Sequence, residues 1–155
     1  MTYLLLKYVH ILSSTILFGT GLGTAFHGWM ANRRGGLEAV ATVNRNVVTA
    51  DWIFTSPAVV VQPVTGLLLA RAAGYSLADH WLALSLLLYL VAGACWLPVV
   101  WLQIQMRRQT ERALAAGMPL PASYARYARL WFLLGWPAFG AVLIIFFLMT
   151  VKPSF

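Results

Sequence analysis

Charge is what this sequence has least of. Only 10% of its 155 residues are charged, and only four of those are acidic; a soluble domain carries about 25% charged residues. An ordinary water-facing surface is excluded. Four carboxylates leave little for paired-carboxylate catalysis, and Glu38 and Asp79 read as loop charges. The single cysteine, Cys95, makes neither an internal disulfide nor a metal cluster; it reads as a small mid-span core residue. Gly-rich phosphate loops, His-Glu-x-x-His and nucleophile elbows are missing. So is the period-two alternation of spanning strands. There is no internal repeat and no low-complexity tract.

What the chain has instead is long apolar runs. Hydrophobic residues make up 61% of it, and mean hydropathy is +0.76. Four runs, about 3–30, 52–70, 81–105 and 131–151, are long enough to span, since a spanning helix needs about 20 apolar residues. Backbone groups in lipid must satisfy one another, which makes these runs helices. The expectation is an all-α polytopic membrane protein, a four-transmembrane-helix antiparallel bundle forming a single membrane domain over residues 1–155. The Arg33-Arg34-Gly35-Gly36 stretch should end the first helix, leaving a polar loop over about 31–46 with room for a short interfacial helix. Short connections make antiparallel neighbours; Gly117-Met118-Pro119-Leu120-Pro121 is the turn of the longest one. Residues 105–114 continue the third helix outward, and 122–129 start the fourth early.

The formal net charge of +7 does not signal nucleic acid, because the basic residues lie between spans. Arg33, Arg34 and Arg45 follow the first span, and Arg107, Arg108, Arg112, Arg126 and Arg129 follow the third; Arg71 stands alone after the second. The positive-inside rule then puts the first and third loops in the cytoplasm and both termini outside, in a bacterial cytoplasmic (inner) membrane. The first span is too long for a cleaved signal peptide, and its arginines follow it.

Within the stretch YLLLKYVHILSSTILFGTGLGTAFHGWMANRR stand Lys7, His10 and His27. Counting about 100° per residue from His10 brings Ser14, Leu17, Gly21, Thr24 and Gly28 onto one stripe. Gly19 and Gly23 also form a GxxxG contact motif. His27 lies about 25 Å further along the axis and reads as interfacial; Lys7 either snorkels or meets an anionic group. In the second span Asp51, Thr55, Gln62 and Thr65 share a line with Ala58 between them. Lipid rejects such a face, so it should turn inward, with Asp51 pairing with Arg45 or Arg129. Pro57 and Pro63 should interrupt or kink that helix. His80 opens the third span beside Asp79 and Trp81, on the same side of the membrane as His10.

LLLKYVHILSSTILFGTGL resembles the first helix of the HemJ-type bacterial membrane protoporphyrinogen oxidases, whose Lys-x-x-His pair is here Lys7 and His10. FFLMTVKPSF is similar to that family's closing helix, with Lys152 and Pro153. The resemblance implies a b-type haem held partly at His10, and oxidation of a porphyrinogen with electrons passed to a membrane acceptor. The chain departs from that family at Trp81-Leu82-Ala83-Leu84-Ser85, which has neither its histidine nor its lysine, and at Leu134-Gly135-Trp136-Pro137, which has no carboxylate. A second resemblance is to predicted bacterial integral membrane proteins of unknown function. It rests on Ala50-Asp51-Trp52-Ile53-Phe54-Thr55-Ser56-Pro57, Val61-Gln62-Pro63-Val64-Thr65-Gly66 and Leu134-Gly135-Trp136-Pro137-Ala138-Phe139.

Two readings stand. In one, the protein carries haem b and moves electrons, with a quinone, a porphyrin or a redox partner protein at the other end. His10 is then one axial ligand and His80 the candidate for the second; Ser14 and Gly21 make room, and Lys7 meets an anionic group. In the other, the protein is a haem-free accessory subunit or a small-molecule transporter completed by homo-oligomerisation, with Asp51, Thr55 and Gln62 as its important polar groups.

Overall fold

The computed structural model describes residues 1–153. Helix α1 spans Thr2–Arg34 and α2 Leu37–Ala50; a π-helical turn covers Asp51–Thr55 and α3 Ser56–Ala72; α4 spans His80–Ala116 and α5 Ala122–Val151. Four helical stretches are long and apolar enough to cross a membrane, and none of the described residues is in a strand. The 37 residues of α4 reach about 55 Å at 1.5 Å per residue, well beyond a hydrocarbon core of about 30 Å. Its end therefore projects past the membrane, and α5 starts early, as the sequence implies.

Local chemistry sets the breaks. Gly35 turns extended and its N–H bonds back to the Ala31 carbonyl. At the end of α4, Gly117 takes a left-handed φ of 60°, and Met118 N–H bonds to the Ala113 carbonyl at 3.0 Å. This closes the helix with a Schellman-type cap.

The polar loop expected over 31–46 is corrected. It shrinks to the two glycines, because α2 buries Val40, Ala41, Val47 and Val48 on one face and continues into the π turn. Pro57 does not end the helix either. The preceding turn is widened, with Ser56 N–H bonding to the Asp51 carbonyl five residues back. Such widening eases the clash of a proline ring with the carbonyl four residues earlier.

Two pairs build the bundle: α1 against α3, and α4 against α5, with α2 lying on α1 and α4 at the arginine-rich end. One apolar cluster there joins Val40, Leu102, Met106, Tyr124 and Trp131; another at the opposite end joins Ala70, Trp81, Leu82 and Leu148. Close approach of α1 to α5 depends on Gly28, where an added Cβ would stand 2.9 Å from the Trp131 ring. The expected GxxxG contact is corrected: a Cβ added at Gly19 or Gly23 would meet nothing within 4 Å among the described residues outside its own helix backbone. Packing uses Gly21, against Phe139, and Gly28 instead.

The molecule exposes large apolar side chains and buries polar ones alongside its apolar clusters. Leu4, Leu87, Leu90, Leu97, Leu133 and Phe147 are exposed, whereas Ser13, Asn44, Asp51, Thr55, Thr65, Ser85, Gln103 and Thr110 are buried. Lipid as the surrounding solvent accounts for both halves of that pattern.

Candidate functional site

The expected stripe on the second span does face inward: Asp51, Thr55, Ala58 and Thr65 are buried and Gln62 half-buried. It meets α1 at His10. The Thr65 hydroxyl has one hydrogen, which goes to the Val61 carbonyl at 2.7 Å. It therefore accepts from His10 Nδ1–H at 2.9 Å. That fixes the tautomer and leaves the lone pair on Nε2, where the Gln62 amide nitrogen donates at 3.1 Å. The Gln62 carbonyl in turn accepts from the Ser13 hydroxyl, which also reaches the His10 carbonyl at 3.0 Å. Gly66 lets the ring lie on the α3 backbone, since a Cβ there would stand 3.1 Å from His10 Cε1.

Other expected residues are placed elsewhere. The buried serine of α1 is Ser13; Ser14 turns its hydroxyl to the Ile11 carbonyl of its own helix. Gly21 faces Phe139 on α5, not His10. The stripe counted at a fixed 100° ran along the seam with α5, whereas His10 sits at the seam with α3. Lys7 and His27 are exposed, and so is His80 at the first turn of α4, a helix that makes no extensive contact with α1.

These positions meet the needs of a haem only in part. The donor atom suits it: metal-bound histidines characteristically hold their other nitrogen in a hydrogen bond, as Thr65 does here. The room does not. The Gln62 amide occupies the Nε2 side, and Gly66 brings α3 onto the ring. No second histidine faces the first among the described residues. As packed, these side chains do not fit a macrocycle between α1 and α3.

Asp51 forms a separate centre. Its expected partner arginine is corrected: Arg45 lies 3.6 Å from Glu111 instead, alongside Arg107 at 2.9 Å, and Arg129 is exposed on α5 and forms no ion pair among the described residues. Six residues on a helix put Arg45 about 120° around from Asp51. Asp51 Oδ1 accepts from the Thr55 hydroxyl at 2.8 Å. Among the described residues, Asp51 Oδ2 and, on α4, Gln103 Oε1 both lack a hydrogen-bond partner. The Arg107 guanidinium holds Glu111, outside the span, below the usual carboxylate range.

The sequence reading missed Ser13, Gln103 and a chain at the arginine-rich end, Asn44 Nδ2–H to Tyr124 Oη at 3.0 Å and Tyr124 O–H to Asn32 Oδ1 at 2.9 Å. Gln103 was detectable as an amide inside an apolar run. The other contacts join positions distant in sequence.

An all-helical bundle with four candidate spans, a lipid-compatible exterior and a polar interior defines an integral membrane protein. More narrowly, the chain belongs to the family described as "Predicted integral membrane protein (DUF2269)", whose model matches residues 4–153. No curated protein and no solved structure matches the chain.

Proposed function

We propose that this protein handles protons inside the membrane as part of a transport module, with His10 Nε2 as the proton acceptor once the Gln62 amide has turned away from it. The carrying observation is the orientation of one hydrogen-bond chain. Val61 C=O anchors Thr65, Thr65 anchors Nδ1–H, and the basic lone pair is thereby presented to Gln62. A histidine held in one tautomer within an apolar bundle is suited to accept and release a proton. Four helices are few for a solute path, so the module works as a homo-oligomer or beside a partner subunit. The arginine-rich end faces the cytoplasm of a bacterial inner membrane, with both termini outside.

The test is reconstitution into liposomes enclosing a pH-sensitive dye, under an imposed pH gradient with valinomycin and potassium. Faster dissipation than with His10→Ala, and unchanged dissipation with His27→Ala, supports the reading. Dissipation equal to that of empty liposomes overturns it.

A second reading keeps the redox assignment: His10 Nε2 would hold the iron of haem b once Gln62 has moved, with a quinone or porphyrin as electron partner. Its support is the Thr65 anchor on Nδ1 and the resemblance around Lys7 and His10. Bands in a dithionite-reduced minus oxidised spectrum that disappear in His10→Ala would favour it over the proton reading.

A further inference from the structure

We propose that a cavity at the arginine-rich end of the bundle is a docking site for the headgroup of an anionic phospholipid from the adjoining leaflet. The site is distinct from the His10 centre and does not rest on its role. The cavity, of about 580 Å³, lies between the end of α1, the start of α2 and the turn that opens α5. Small-ligand sites measure about 300–1,000 Å³. Leu37, Val40, Leu120 and Ala125 give it an apolar wall, and Asn32 and Tyr124 supply polar side chains. Tyr124 O–H donates to Asn32 Oδ1 at 2.9 Å, and Asn44 Nδ2–H donates to Tyr124 Oη at 3.0 Å. That polar edge is thus fixed by α1, α2 and α5 together.

The depth of the cavity matches the headgroups. Asn32 lies just beyond the first apolar run and Ala128 just before the fourth, about 3–5 Å along their helix axes. Trp29 stands one turn before Asn32, and Tyr127 adjoins Ala128 with Trp101 packed on it at 5.6 Å. Both tryptophans are exposed, and such aromatics mark the membrane interface.

Charge selects the headgroup. Arg33 and Arg34 join Asn32 to Gly35, while Arg126 and Arg129 follow Ala125 and Ala128. Each is bonded to a lining residue, with about 3.8 Å between the Cα atoms. All four are exposed, and none forms an ion pair among the described residues. Against them stands Glu38 in the first turn of α2; Glu111 is engaged by Arg45 and Arg107. Guanidinium groups bind phosphate oxygens in pairs of hydrogen bonds. The apolar wall suits the glycerol and first methylenes of a lipid, which a free phosphate lacks.

Full-length protein, delipidated in a mild non-ionic detergent, is titrated with dioleoylphosphatidylglycerol or dioleoylphosphatidylcholine and followed by native mass spectrometry. Expected is one saturable phosphatidylglycerol that phosphatidylcholine does not match. Arg34→Ala and Arg129→Ala should each weaken it about fivefold, the worth of one basic residue at an anionic surface. Ala125 is exposed, and Ala125→Trp, which fills the cavity without changing charge, should abolish binding. Arg108, exposed on α4, adjoins no lining residue, and Arg108→Ala should leave binding unchanged. If Ala125→Trp fails to fold, the two arginine variants against Arg108→Ala decide. Equal binding of the two lipids overturns the proposal. So does equal weakening by Arg108→Ala, which reports diffuse attraction, or undiminished binding in folded Ala125→Trp. Displacement of the lipid by millimolar inorganic phosphate also overturns it, by assigning the cavity to a soluble anion.

Discussion

The Tyr89 hydroxyl on α4 donates to the Val59 carbonyl on α3 at 2.6 Å. Val59 stands four residues before Pro63, which lies inside α3 and has no N–H to give. A side chain from a neighbouring helix thus supplies the donor that the proline removed. Tyr89→Phe is expected to destabilise the folded protein by about 1–3 kcal/mol, the cost of a buried acceptor left alone. Pro63→Ala restores a backbone donor, so the double variant should lose less than Tyr89→Phe does. Thermal unfolding in detergent, read as a double-mutant cycle, checks this; strictly additive effects would deny the coupling.

His10 should be a neutral imidazole protonated on Nδ1, because Thr65 can only accept from it. Nitrogen-15 spectra of the three histidines should show one ring in that tautomer. The other two, His27 and His80, are exposed. Thr65→Val is expected to release the preference at His10. A dominant Nε2–H form in the unaltered protein would contradict the hydrogen-bond directions.

Helix approach is set by particular glycines. Gly28→Ala would force a Cβ to 2.9 Å from the Trp131 ring and should cost about 1–3 kcal/mol through overpacking. Gly19→Ala has open space around it within the chain and should leave the thermal midpoint of the monomer unchanged or slightly raised, as alanine favours the helix. Equal losses at both positions would refute this division.

The Arg45–Glu111–Arg107 cluster ties α2 to α4 outside the spans. Arg107 lowers the folded-state pKa of Glu111. Its stabilisation is therefore fully present above the ordinary carboxylate range and is lost as pH falls through the depressed value. The partners are substantially exposed, so the effect is small, at most about 1 kcal/mol, and screened by salt. Glu111→Gln should lower stability at neutral pH and low salt, and the difference should close in acid or concentrated salt.

Much of this architecture was legible along the chain. The length of each apolar run specified a helix, and the outward continuation of α4 and early start of α5 followed from where the polar residues begin. The inward turn of Asp51, Thr55 and Gln62 followed from helical periodicity and the cost of polar groups in lipid. The same periodicity misled at Ser14 and Gly21, since a stripe gives the faces of one helix but not which neighbour each face meets.

Sequence alone determined that this chain leaves water for lipid, as four helices with His10 and a polar stripe inside. Those outcomes depend on composition and on spacing within single segments, which the backbone converts directly into faces. Which nitrogen of His10 holds its proton, which arginine Glu111 takes from Asp51, and how Tyr89 repairs the gap left by Pro63 were decided by tertiary structure. Each depends on the rotation and depth at which two helices meet, and these are set by packing summed over the whole bundle.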